Sequence, residues 1–248
     1  MIITKSNLLK GVTPTVSFGA SSDFPENVTN EDFSYNYTGS DDNTLVFDFG
    51  STISLDYVAI GGLLISGSGD GNSYAQVLDS GVSIAIKTTK RDHCFLFNFE
   101  ERSFTNLQIK LFNSSGGTAP TVSYVAAGSS FEVPNGGEQS GYERQWAKRN
   151  KKSKTTINAI AAPISTLKKR ITSKGTLSLP NMPLDFSGQT WQDFLDFAED
   201  NIFFIGENSE KPQLSYACYD LENASTRAHS QTRELNNLSI KFKVYNGV

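Results

Sequence analysis

Leu45-Val46-Phe47-Asp48-Phe49 is the stretch on which the reading of this chain turns. Leu45, Phe47 and Phe49 alternate with Val46 and Asp48. Successive side chains of a strand point to opposite faces, so the pattern predicts a strand with one buried and one wet side. Leu107, Ile109 and Leu111 repeat the design against Gln108 and Lys110. Working outward, short apolar or alternating runs recur at 57–65, 82–86, 94–99, 107–112 and 122–126. Small polar stretches at 38–43, 66–73, 88–92 and 113–119 divide them. Short strands at such spacing predict a two-sheet sandwich or jelly roll over residues 1–130, because each strand crosses one sheet and turns back.

Beyond residue 130 the texture changes. Residues 131–155 open with a Pro-Asn-Gly-Gly turn at 134–137 and become strongly basic, which predicts a linker or hairpin arm. Residues 156–248 predict an α+β domain. Its clearest helix is expected near 190–199, with Thr190 as N-cap and Trp191, Phe194, Leu195 and Ala198 on one face. A second helix is expected over 160–171. Strands are expected at 176–179, 202–205, 213–218 and 235–245, the last alternating Leu238, Ile240, Phe242 and Val244 with Ser239, Lys241 and Lys243. The fold class that follows is mainly β, a sandwich followed by a sheet with a helix.

Composition agrees. Aromatic residues make up 11% of the chain, with 17 Phe and 9 Tyr, and flat rings pack well across neighbouring strands. At 248 residues the chain buries roughly three quarters of its unfolded surface and needs no staple. A formal net charge of −4 argues against a dedicated nucleic-acid binder. Cys94 and Cys218 read as buried small hydrophobes in a protein made in a reducing cytoplasm, a disulfide being the other reading. No apolar run reaches membrane-spanning length, and the first eleven residues lack the apolar core of a signal peptide.

Little in the sequence points to catalysis. His93 and His229 stand in no metal-ligand spacing and beside no nucleophile elbow. The Gly-rich stretch 67–72 lacks the following Lys of a phosphate loop, and its Asp70 and Asn72 lack the distal Glu of a calcium loop. Carboxylate neighbours at 41–42, 100–101 and 196–200 read as solvated turns and a wet helix face. No cofactor, metal or catalytic residue is therefore expected. The strongest charge anomaly is Arg144, Lys148, Arg149, Lys151, Lys152 and Lys154, with Trp146 among them. It reads as a solvated loop, as an arm docking on an acidic patch of a neighbouring subunit, or as a nucleic-acid contact, the last the least expected.

A resemblance sharpens these expectations. An early Asn7-Leu8-Leu9, then Leu45-Val-Phe-Asp-Phe-Gly-Ser, Leu55-Asp-Tyr-Val-Ala-Ile-Gly-Gly, Cys94-Phe-Leu-Phe-Asn-Phe, Leu107-Gln-Ile-Lys-Leu-Phe and Val122-Ser-Tyr-Val-Ala-Ala-Gly follow in order. The series resembles the discoidin-like, galactose-binding-like β-sandwich of tailed-bacteriophage virion proteins. The second half, through Trp191-Gln-Asp-Phe-Leu-Asp-Phe and Ile202-Phe-Phe-Ile, looks like tail-tube, distal-tail and baseplate-hub modules. The resemblance implies a non-enzymatic structural subunit of a phage virion that forms rings, commonly hexameric, with copies of itself and contacts other tail or baseplate proteins. The alternative it leaves is a carbohydrate-binding module acting on a host-surface glycan, with Tyr35, Tyr37 and Tyr74 as the candidate sugar platforms.

Overall fold

The structure is a computed structural model of the chain. It describes residues 1–18, 24–40, 42–63, 65, 73–88, 93–113, 119–134, 151–157, 163–170, 173–207, 215–228 and 234–245. Among them the first strands in chain order are β1 (Ile2–Thr4), β2 (Thr15–Phe18), β3 (Tyr37–Thr38), β4 (Asp42–Leu63) and β5 (Tyr74–Asp79). Next come β6 (Val82–Thr88), β7 (His93–Phe112), β8 (Thr121–Val122), β9 (Tyr124–Gly128) and β10 (Ser130–Glu132). The remainder are β11 (Lys151–Ile157), β12 (Pro163–Arg170), β13 (Ser173–Pro183), β14 (Phe203–Gly206), β15 (Ser215–Ala228) and β16 (Leu235–Tyr245), with helix α1 at Trp191–Asp200. The protein is mainly β, a sandwich followed by a sheet carrying a helix, as the alternation required.

The sandwich is made by bending two long strands. β4 and β7 pair antiparallel almost end to end, but the register shifts between Asp48 and Ile53. Gly50 there has φ +65°, and its N–H donates to Asp48 Oδ1 at 2.9 Å, which closes a tight turn inside the strand. On one side of this bend β4 carries β2, and β7 carries β5 and then β6; on the other side β4 carries β9. Leu45, Phe47, Leu107, Ile109 and Leu111 from the first arm share one core with Val58, Ile60, Phe95, Phe97, Val125 and Ala127 from the second. The inward positions of the Leu45–Phe49 run are the ones buried; Phe49 is only half-buried, next to the bend.

The second sheet has the order β10-β1-β14-β15-β16-β13. Its outer face packs on α1, where Trp191, Phe194 and Ala198 meet Phe203, Ile205, Cys218, Leu238, Ile240 and Phe242. Its inner face, with Ile202, Phe204 and Ala217, meets Tyr57, Ala59, Cys94, Leu96, Tyr124 and Ala126 of the sandwich. The sandwich arm formed by residues 57–61, 94–96 and 124–126 is thus buried on both sides. β1 and β10 come from the first 132 residues yet pair in the second sheet, so the blocks 1–130 and 156–248 are laced together.

Two local expectations are corrected. The helix expected over 160–171 is strand β12 at Pro163–Arg170, paired with β11. A proline opens it, and Ile164 and Thr166 are β-branched, so local preference favours the extended chain. Thr190 does not cap α1: its φ and ψ are helical, its side chain makes no cap bond, and a π-turn at Phe186–Thr190 leads into the helix. The apolar face of α1 is the expected one. Cys94 and Cys218 are both free and buried, and burial raises both thiols above their ordinary range.

Candidate functional site

Between the sandwich and the second sheet lies an open cleft of about 660 Å³. Its first lip is the segment that follows a 3-10 turn at Pro25–Thr29. Two side chains shape that lip: Asn30 Oδ1 accepts from the Asp32 N–H at 3.1 Å, and Asp32 Oδ1 accepts from the Ser34 N–H at 2.9 Å and its Oγ at 2.7 Å. Such side-chain turns pre-set a loop without a strand partner. The two bonds from Ser34 also hold the Asp32 carboxyl below its ordinary range. Behind the lip, Ser123 Oγ donates to Asn36 Oδ1 at 2.6 Å, and Asn27 Nδ2 donates to the Asn36 carbonyl at 3.1 Å.

The opposite lip is the end of α1 and the turn into β14. Lys10 ties the two lips together: its Nζ lies 3.2 Å from Glu31 Oε2 and donates to Asn201 Oδ1 at 2.9 Å. The floor comes from β15 and β16. Ala217 stands opposite Tyr245 and Tyr219 opposite Lys243, so these four share the inner face of the sheet. Tyr245 stacks on Phe33 with ring centroids 4.0 Å apart and planes 15° apart. The Lys243 ammonium sits 6.0 Å from the Tyr219 ring centroid and pairs with Asp220, which raises its pKa. Asp220 has φ +49°, at a register shift of β15 between Tyr219 and Asn223. The bulge re-aims the strand at the cleft, and Asp tolerates the left-handed region better than most residues.

The cleft therefore combines Phe33, Tyr219 and Tyr245 with Ile202, Asn201 and five carboxylates, Glu31, Asp32, Glu199, Asp200 and Asp220. Lys10 answers Glu31 and Lys243 answers Asp220. Asp32, Glu199 and Asp200 have no cationic partner among the described residues. Chemically this is a set of hydroxyl- or ammonium-accepting oxygens around apolar ring faces. No group of His, Cys, Asp and Glu among the described residues is placed to hold a metal ion.

The expected platforms lie elsewhere. Tyr37 is wholly buried in the sandwich core, bonded to Asn43, and presents no ring face to solvent. Tyr74 stacks on Phe112 with centroids 5.0 Å apart on β5, and Tyr35 is 51% exposed beyond the lip. Of the expected docking arm, Lys151, Lys152 and Lys154 stand on β11, while Arg144, Trp146, Lys148 and Arg149 lie outside the described residues, as do residues 66–72 and His229. Sequence reasoning missed Phe33, Tyr219 and Tyr245. A signal existed for Tyr245: it is out of phase with Leu238, Ile240, Phe242 and Val244, so strand parity sends it to the opposite face. Nothing in sequence joins it to Phe33, 212 positions earlier.

No protein-family model matches the chain, and no curated protein matches it. Solved structures do. One is chitosan-binding module 1 of a chitosanase/glucanase from Paenibacillus sp. IK-5, at 15% identity over 50% of this chain and 99% of that one, with a TM-score of 0.39. Another is the family 32 carbohydrate-binding module of Clostridium perfringens NanJ in complex with galactose, at 12% identity over 51% and 98%, with a TM-score of 0.40. A Ruminococcus gnavus GH29 fucosidase in complex with fucose is 20% identical over 52% of this chain and 27% of its own, with a TM-score of 0.42.

Proposed function

We propose that this chain is a non-catalytic glycan-binding protein whose ligand lies in the cleft between the sandwich and the second sheet. The observation that carries the reading is the Phe33–Tyr245 stack set among carboxylates and the Asn201 amide. A sugar offers an apolar face of C–H groups and a rim of hydroxyls. Rings accept the first, and carboxylate oxygens accept two hydroxyls each in good geometry. Because three carboxylates there lack a cationic partner among the described residues, neutral or amino-bearing sugars suit the cleft, and sialylated or sulfated glycans meet like charge. Glycan-array screening followed by calorimetric titration tests this. Binding to neutral or amino-bearing glycans is expected to weaken at least about tenfold in Phe33→Ala and Tyr245→Ala, roughly 1.4 kcal/mol. An array that stays silent, or a hit that survives both substitutions, removes the reading.

A second reading is favoured by one observation. Among the described residues the eleven-residue strand β13 pairs on one side only, with β16, and so ends the second sheet on a long edge. Such an edge is a template for strand addition. It suits the structural tail or baseplate subunit that the sequence resembles, closing rings with its own copies. Negative-stain images of the purified protein decide this: rings support it, and dispersed single particles at high concentration count against it.

A further inference from the structure

The floor of the cleft continues past Lys243. The bulges beside β16 lie in β13 and β15, so β16 itself alternates regularly from Leu235 to Tyr245. Tyr245, Lys243, Lys241, Ser239 and Asn237 therefore point to one side of the second sheet. Val244, Phe242, Ile240 and Leu238 point to the other side and are buried under α1. Register carries the first side across the neighbouring strands. Lys243 stands between Lys174 and Tyr219, Lys241 between Thr176 and Asn223, and Ser239 between Ser178 and Ser225. Residues directly opposite one another share a face. From Tyr245 to Asn237 this face extends over about 27 Å, and three strands make it about 10 Å wide. Its Tyr245 end packs against the sandwich, whereas Lys174, Thr176, Asn223, Ser225, Asn237 and Lys241 are exposed.

At its far end the face is hollow. Ser178, Pro180, Ser225, Asn237 and Ser239 line a groove of about 420 Å³. The bulge in β13 shapes the rim: Asn181 has φ +58°, and its N–H donates to Asn237 Oδ1 at 3.0 Å. That bond fixes the Asn237 amide and leaves its Nδ2 donors unused among the described residues. The hydroxyls of Ser178, Ser225 and Ser239 make no hydrogen bond among the described residues either. Charge is largely cancelled between cleft and groove. Lys174 Nζ lies 2.7 Å from Glu222 Oε1, and Lys243 pairs with Asp220, which leaves Lys241 uncompensated among the described residues. The two rows beyond the cleft, Thr176-Lys241-Asn223 and Ser178-Ser239-Ser225, hold no apolar side chain. They offer hydrogen bonds with little net field and no apolar anchor, which suits a neutral polar chain better than a protein or a charged polymer.

We propose that cleft and groove are the two ends of one binding face, and that its ligand is a linear glycan of several sugars laid along β16. This rests on the glycan reading of the cleft and adds the class of glycan, a chain held along its length and not a single terminal sugar. Phe33 and Tyr245 anchor one end of the chain. Once that end is held, the following units meet the groove at high effective concentration, so contacts too weak to bind alone add to the affinity. Serine hydroxyls donate and accept, and the Asn237 amide donates, so the groove serves a repeating row of sugar hydroxyls without reading each unit.

Calorimetric titration of the full chain with linear oligomers of glucose and of glucosamine, from the disaccharide to the octasaccharide, tests this. In the series that binds, affinity is expected to rise at least about tenfold between the shortest and the longest oligomer. Ser178→Val/Ser225→Val/Ser239→Val removes the row of hydroxyls with residues that favour strands, and Asn237→Ala removes the amide. Both variants are expected to bind the disaccharide as the unmodified protein does and to lose most of the gain with length. Phe33→Ala is expected to weaken every length alike. Affinity that does not depend on length overturns the proposal and leaves the cleft reading standing. A gain with length that both groove variants retain also overturns it, because the added units then lie elsewhere. Silence at every length removes the cleft reading, and this one with it.

Discussion

Gly62 shows how single residues hold the cleft. Its φ is +64°, and a Cβ there would stand 2.3 Å from Ser123 Oγ and 3.4 Å from the Tyr245 ring. Ser123 in turn holds Asn36 behind the first lip. Gly62→Ala is expected to cost about 1–3 kcal/mol through the strained backbone and the clash. It should also weaken glycan binding by displacing Tyr245, which chemical denaturation and titration would separate. Asp56 gives a pH signature. Burial raises its pKa above the ordinary 3.8, against the hydrogen bond that its Oδ1 accepts from the Ser130 N–H at 2.7 Å. The folded state therefore favours the protonated carboxyl, and this group's contribution to stability falls as pH rises from 3.8 through the raised folded value. Asp56→Asn keeps the acceptor and loses the titration. Its melting temperature relative to the unmodified protein should rise across that window; a difference constant with pH would refute the assignment. Both residues lie in the Leu55–Gly62 motif, but their roles were not legible there, because a glycine's φ and a carboxylate's burial are set by distant neighbours.

At the scale of the element, alternation was the informative signal. The runs at 45–49, 107–112 and 235–245 became strands with their predicted faces buried, since a period of two is a backbone property that tertiary contacts use without altering. The face of α1 was equally legible. Phe194 lies edge-on to Phe203 with centroids 5.3 Å apart, and 5.1 Å from Trp191. Phe194→Ala is expected to destabilise by about 3–5 kcal/mol in urea titration. The helix start was not legible, because a π-turn extends the helical path ahead of Thr190. The strand β12 was misread as helix: Leu167 beside three basic residues fits a helical face, but Pro163, Ile164 and Thr166 favour the extended chain that pairs with β11.

At the scale of the whole molecule, the layer joining sandwich and second sheet governs behaviour. Ile2, Tyr57, Leu96, Tyr124, Phe204 and Ala217 bury their side chains together. The Phe204 N–H donates to Thr4 Oγ1 at 2.8 Å, and Ser215 Oγ donates to the Cys94 carbonyl at 3.0 Å. A shared core of this kind couples the two halves, so calorimetry is expected to show one unfolding transition, with calorimetric and van't Hoff enthalpies equal. Deleting residues 2–4 removes a strand between β10 and β14 and should lower the melting temperature of both halves together; two separate transitions would refute the coupling. What the amino-acid sequence determined alone is the class of the protein: the strands at 45–49, 107–112 and 235–245 with their buried faces, the apolar side of α1 and the basic segment. These follow from local periodicity and composition. Only the tertiary structure decided that β1 and β10 cross into the second sheet and that Phe33 meets Tyr245. Both depend on contacts between residues more than a hundred positions apart, and such contacts leave no periodic trace in the chain.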